Sequence, residues 1–153
     1  MPTWVEKINL KKGLSAVELE KSLENEKFFG GIIKLEDLEN IIINSYPISF
    51  VAFHKKHWIA IYLSRHALEV FDSGAVIWRD PPDAFISFLC LHSNKQIRFN
   101  KRMQNNEFIC GLYSIFFIKL KSKMWKWKKI INFLKNQKCS TDSLIRKLFR
   151  CET

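Results

Sequence analysis

Ile48-Ser49-Phe50-Val51-Ala52-Phe53, then His57-Trp58-Ile59-Ala60-Ile61-Tyr62-Leu63, then Leu68-Glu69-Val70-Phe71: these three runs, within residues 48–71, decide the fold class. Each is apolar and rich in β-branched or aromatic side chains. The links between them, residues 54–56 and 64–66, are short and polar, which predicts an antiparallel meander. Asp72-Ser73-Gly74 closes it with turn chemistry. Downstream, Phe108, Ile109, Leu112, Tyr113, Ile115, Phe116, Phe117, Ile118 and Leu120 leave residues 108–120 without a polar face. A helix apolar on every side is a buried one, and Asn105 or Asn106 could cap it. The expected class is therefore α+β, a small antiparallel sheet packed against a buried helix that carries Cys110.

Working outward, Ser15 and Glu18 have the spacing of a capping box, so a helix is expected over residues 16–26. Gly30-Gly31 should end that segment. Leu35, Leu38, Ile41 and Ile42 recur at helical spacing and predict a second short helix. Pro81-Pro82-Asp83 fits a helix start, with residues 84–91 helical, and residues 97–99 suit one more short strand. A last helix over Thr141–Phe149 would carry Asp142 near its start and Arg146, Lys147 and Arg150 toward its end, as the helix dipole prefers.

The chain has 153 residues, a length that suits a single domain, 1–153, with a basic C-terminal segment, 119–153. Hydrophobic residues at 47% and charged residues at 26% exclude a disordered chain. The apolar runs are too short to span a bilayer, so no membrane partner is expected. The start of the chain does not read as a signal peptide. Cys90, Cys110, Cys139 and Cys151 have no regular spacing, which excludes a disulfide scaffold or a zinc knuckle and favours a reducing compartment. The net charge of +10 is concentrated: residues 119–153 hold 11 Lys or Arg against 2 acids. A block of this kind suggests an anionic partner such as nucleic acid.

Four residues form a chemically coherent set: His57, Asp72, Gln104 and Cys110. Taken singly each has a bland reading, as a strand histidine, a turn former, a surface amide and a small buried hydrophobe. In an antiparallel hairpin, however, the start of one strand lies beside the end of the next, so His57 and Asp72 can meet. A carboxylate there fixes the imidazole tautomer and stabilises its charged form. A thiol in the first turn of a helix feels the positive end of the dipole, which favours the thiolate. Thiolate beside imidazolium is the activated nucleophile of acyl transfer. Unpaired N–H groups at the helix start, with the Gln104 amide, can face an oxyanion. No metal is required. His54 is the rival for the base.

The order His57-Trp58, Phe71-Asp72-Ser73-Gly74 and Gln104-x5-Cys110-Gly111 resembles the adenain-like and ubiquitin-like-protease group of cysteine proteases, within the papain-like superfamily. The resemblance covers roughly residues 28–120. It implies Cys110 as nucleophile, His57 as base, Asp72 as its orienter and Gln104 in the oxyanion hole, with no cofactor needed for the chemistry. Because Trp directly follows the family's histidine, it also favours His57 over His54. Chain length and Asn106 to Tyr113 are more similar to adenain, the adenovirus maturation protease; Asp72 matches the SUMO proteases, since adenain has Glu there. By resemblance the chain is then a cysteine endopeptidase of viral or virus-like-element origin. It would cut precursor or capsid proteins, in the virion and the host nucleus or cytoplasm. DNA and a viral peptide linked through a cysteine would serve as activators.

Two further readings stay open. One is an isopeptidase of the deSUMOylase or deubiquitinase type. The other is a non-catalytic basic nucleic-acid-binding protein whose Cys and His are structural. Lys123, Lys126, Lys128 and Lys129, interleaved with Trp125 and Trp127, are the candidate nucleic-acid contacts, by charge and by stacking.

Overall fold

The computed structural model describes residues 14–103, 109–136 and 140–149. Helix α1 (Ala16–Leu23) starts at the expected capping box. The Glu18 N–H donates to Ser15 Oγ and the Ser15 N–H to Glu18 Oε1, each at 3.2 Å. The helix buries Leu19 and Leu23 and stops short of residue 26.

Gly30-Gly31 does not terminate structure, as the dipeptide alone suggests, but lies inside a strand, β1 (Phe29–Lys34). Gly31 has φ +126°, a conformation natural only to glycine, and the pairing slips between Phe29 and Ile32. The dipeptide is a bulge that lets β1 run beside residues 49–53. The next segment is a 3₁₀ helix, Leu35–Asn40, which ends before Ile41 and leaves Ile42 exposed. Leu35 and Leu38, three apart, both face the core, and that spacing suits the tighter helix.

The meander forms as expected from β2 (Ile48–His54), β3 (His57–Leu63) and β4 (Ala67–Phe71). β2 and β3 pair from Ile48↔Leu63 to His54↔His57. Lys55 and Lys56 make the two-residue turn, both with positive φ (47° and 63°), the hand that matches strand twist. Helix α2 (Asp83–Leu91) then leads to β5 (Gln96–Phe99), parallel to β4. The sheet order is β1-β2-β3-β4-β5, an antiparallel centre with a parallel strand on each side.

Helices α3 (Cys110–Ser122), α4 (Trp127–Lys135) and α5 (Thr141–Phe149) complete the described chain. One sheet face packs against α1, α3, α4 and α5, the other against the 3₁₀ helix and α2. In α3 every residue from Cys110 to Ile118 is buried, and Phe117 stacks on Phe71 of β4 at 4.8 Å between centroids. The Tyr113 hydroxyl donates to Asp142 Oδ1 at 2.6 Å, tying α5 to α3. Among the described residues no helix is long and apolar enough to cross a membrane.

The basic segment is partly structural. Lys119 pairs with Glu26 at 2.7 Å, and Lys121 reaches Glu69 Oε1 at 2.8 Å inside the core while Arg98 holds Oε2 at 2.7 Å. Glu69 Oε1 takes no aligned hydrogen bond, so its contact with Lys121 is charge on charge. Trp127 packs edge-on against Phe71 and Phe117, and Trp125 against Phe133. Both rings are half-buried, each with one side packed against the core. Lys123, Lys126, Lys128 and Lys129 remain exposed, Lys129 lying over the Trp125 ring at 4.0 Å. Lys121→Met should therefore cost about 3 kcal/mol in chemical denaturation, because Glu69 stays buried with one cation fewer. Lys128→Met should be neutral in the same assay.

Candidate active site

The antiparallel register of β3 and β4, with Ala60 opposite Phe71, brings the first residue of β3 and the residue after β4 to the same end of the sheet. There His57 Nε2 meets Asp72 Oδ1 at 2.5 Å. Both groups are buried, His57 at 7% exposure and Asp72 at 1%. Asp72 is held on all sides. The Ile77 N–H donates to its Oδ2 at 2.8 Å. Its own N–H donates to Asn100 Oδ1 at 2.8 Å, and its carbonyl accepts from Asn100 Nδ2 at 2.7 Å and from the Ala75 N–H at 2.9 Å. The carboxylate therefore has no freedom to turn away from the imidazole.

Cys110 opens α3, and Ile109 before it offers no side-chain cap. The Trp58 N–H donates to Cys110 Sγ at 3.4 Å. Cys110 lies close enough to His57 to act on its protonation. Since Nε2 is engaged by Asp72, Nδ1 is the nitrogen left for the thiol. Burial alone would push the imidazole pKa down, but hydrogen bonds to Asp72 and Cys110, and their charges, raise it to about 9. A raised imidazole pKa favours the charged ring beside the Asp72 carboxylate.

The structure brings together three of the four residues singled out from sequence, His57, Asp72 and Cys110. Gln104 lies outside the described residues, as do Asn105, Asn106, Cys139 and Cys151. His54, opposite His57 in the hairpin, gives its Nδ1 to Glu36 Oε1 at 2.9 Å instead. Cys90 is exposed on α2. Among the described residues no group of three or more His, Cys, Asp or Glu is placed to hold a metal ion.

Two supporting residues are not visible in the sequence. Asn100 latches the Asp72 backbone across 28 positions. Leu14 accepts from the Trp58 indole N–H at 3.0 Å, and its side chain lies over Gly111, where a Cβ would come within 3.0 Å of it. Neither has a local signal, because both act through tertiary contacts. Gly74 is a second close approach: a Cβ there would stand 3.2 Å from His57 Cε1 and 3.1 Å from Val76 Cγ2. Gly74→Ala should displace the ring by a few tenths of an ångström. A loss of about 10- to 100-fold in kcat/KM is expected, with the unfolding midpoint nearly unchanged.

No family profile matches the chain, and no curated protein matches it in sequence. In three dimensions it is similar to the central domain of the uncharacterized Lpg1148 protein from Legionella pneumophila, at 16% identity and a TM-score of 0.53, over 91% of this chain and 97% of that one. A looser similarity joins it to a de-sumoylating protease, at 13% identity and a TM-score of 0.47, over 86% of this chain and 68% of that one, too loose to argue from. The first similarity establishes a shared fold: a mixed α+β arrangement of a five-stranded sheet and several helices.

Proposed function

We propose that this chain is a cysteine peptidase. The observation that carries the reading is one buried imidazole paired with a fully held carboxylate, next in sequence to Trp58, whose N–H donates to a thiol at a helix N-terminus. Cys110 Sγ attacks the scissile carbonyl carbon, and the carbonyl oxygen takes up negative charge facing the Cys110 N–H and the Gln104 side chain. His57 holds the thiol proton and delivers it to the departing amine as the C–N bond breaks. Water, deprotonated by His57, then attacks the thioester, releases the acid and restores the thiol. Asp72 keeps the ring oriented and its charge favourable throughout.

For substrate class, the resemblance of residues 28–120 to the adenain-like group supports an endopeptidase acting on precursor or capsid proteins of a virus or virus-like element, in the virion or the infected cell. The isopeptidase reading shares every catalytic atom and differs only in the substrate. Incubating the protein with capsid-derived peptides and, separately, with SUMO and ubiquitin conjugates separates the two. Cleavage of the peptides alone supports the endopeptidase, and cleavage of conjugates alone replaces it with the isopeptidase. Turnover of neither, with or without DNA, removes the peptidase reading.

The exposed Lys123, Lys126, Lys128 and Lys129 support a second role, binding of a nucleic acid through charge. Affinity for duplex DNA should then fall with salt at a log–log slope of about −0.9 per neutralised phosphate. Changing Lys126, Lys128 and Lys129 to Gln should flatten that slope by roughly one unit for each phosphate no longer neutralised. Weak binding at low salt, or an unchanged slope, would leave the lysines as a solvated face. Trp127→Phe should matter little to DNA, since the indole is engaged with Phe71 and Phe117.

A further inference from the structure

A pair of aromatic rings stands exposed beside the catalytic end of the sheet, and nothing in the mechanism uses it. Trp78 and Phe99 are 38% and 39% exposed, and their rings meet edge-to-face at 3.9 Å. Trp78 is steadied from behind by Phe85 of α2 at 5.5 Å, so the pair is a built surface rather than two loose side chains. It joins the site directly. Trp78 follows Ile77, whose N–H holds Asp72, and Phe99 precedes Asn100, whose amide latches the Asp72 backbone.

Phe99 is the last residue of an open strand, β5, and Trp78 packs on it from the loop after β4. β5 ends the sheet order, and among the described residues no strand pairs with its outer side. An open edge offers a ladder of backbone donors and acceptors to an extended chain. Here the edge leads toward the catalytic end, because the residue after β5 is Asn100 itself. The exposed charges that flank the rings in sequence are mostly basic. Arg79 and Lys101 are exposed next to them in sequence. Over residues 78–80 and 98–102 the single carboxylate, Asp80, is paired with Lys55 at 2.6 Å.

We infer that β5, Trp78 and Phe99 form a docking platform for an extended segment of the protein substrate, one carrying apolar side chains flanked by carboxylates. Backbone pairing along β5 would give the segment its direction. The rings would take its apolar side chains, and the two cations would select acidic neighbours over basic ones. Naming the occupant a substrate rests on the peptidase reading; the docking itself does not require turnover.

The test uses the full chain with Cys110→Ala and fluorescence anisotropy. One labelled twelve-residue peptide alternates Val and Phe with Glu, and a second replaces each Glu with Lys. The acidic peptide should bind about tenfold tighter than the basic one, and Phe99→Ala should weaken it by about tenfold. The double variant Arg79→Glu with Lys101→Glu changes two exposed side chains and should reverse the preference. It decides the matter if Phe99→Ala fails to fold. Equal binding of both peptides, or a preference untouched in the double variant, would overturn the platform. Because binding is read without catalysis, a wild type that hydrolyses peptides yet shows no such preference overturns this inference alone. Acidic-peptide binding in a chain that never hydrolyses anything overturns only the peptidase reading.

Discussion

Cys110→Ala is expected to reduce peptide hydrolysis by about 10⁴- to 10⁶-fold while the protein stays folded. The expected size follows from the site's construction. In the proposed mechanism the sulfur forms the acyl intermediate, and His57 and Asp72 serve to activate it. The substitution removes one buried sulfur from the first turn of α3 and leaves Trp58, Gly111 and Leu14 in contact with one another. Far-UV circular dichroism and the denaturation midpoint should therefore stay close to wild type. Cys90→Ala, on the exposed side of α2, should leave turnover intact. Activity retained in Cys110→Ala would show that a different group is the nucleophile.

The second large effect concerns the imidazole. His57→Ala should cost about as much activity as losing the thiol, because members of one triad act as a unit. His54→Ala should cost far less, since that ring is turned to Glu36. Asp72→Asn should fall between them, with a loss on the order of 10²- to 10⁴-fold. The carboxylate accepts two hydrogen bonds at once, from the Ile77 N–H and from His57 Nε2. An amide has one oxygen, so its NH₂ must face one of those donors. The same pair sets a pH signature. The folded pKa of His57 is raised from 6.5 to about 9. A raised pKa means that the charged ring stabilises the fold fully below about pH 6.5. That contribution fades as pH rises through 9. The stability difference between wild type and His57→Gln should shrink over that window. A constant difference from pH 6 to 10 would show that the ring is not charged in the folded protein. If His54→Ala is the inactive variant, the base has been placed on the wrong strand of the hairpin.

What can be read in the sequence is what is local. Residues 48–71 carry their own strand and turn signals, and residues 110–118 carry an uninterrupted apolar surface, so the meander and the buried helix are legible. His57 and Asp72 can be joined by reasoning about a hairpin alone. Gly30-Gly31 misleads because two glycines look the same whether they stop an element or bulge a strand. Helix α4 is masked in the sequence by the charge of residues 119–129. Yet Trp127, Ile130, Ile131 and Leu134 make a stripe at helical spacing, and the last three are buried. Lys121 shows the same limit from the other side: its partner Glu69 sits 52 positions away on β4. Asn100 and Leu14 support the site through contacts that no local pattern announces.

The central claim is that His57 and Asp72 activate Cys110 as a nucleophile toward peptide carbonyls. Labelling with a thiol-directed peptide aldehyde or vinyl sulfone, mapped by mass spectrometry, tests it most directly. At neutral pH the probe should modify Cys110 rapidly and the exposed Cys90 slowly, and His57→Ala should abolish the preference. Modification of Cys90 ahead of Cys110, or equal labelling of Cys110 with and without His57, would contradict the account.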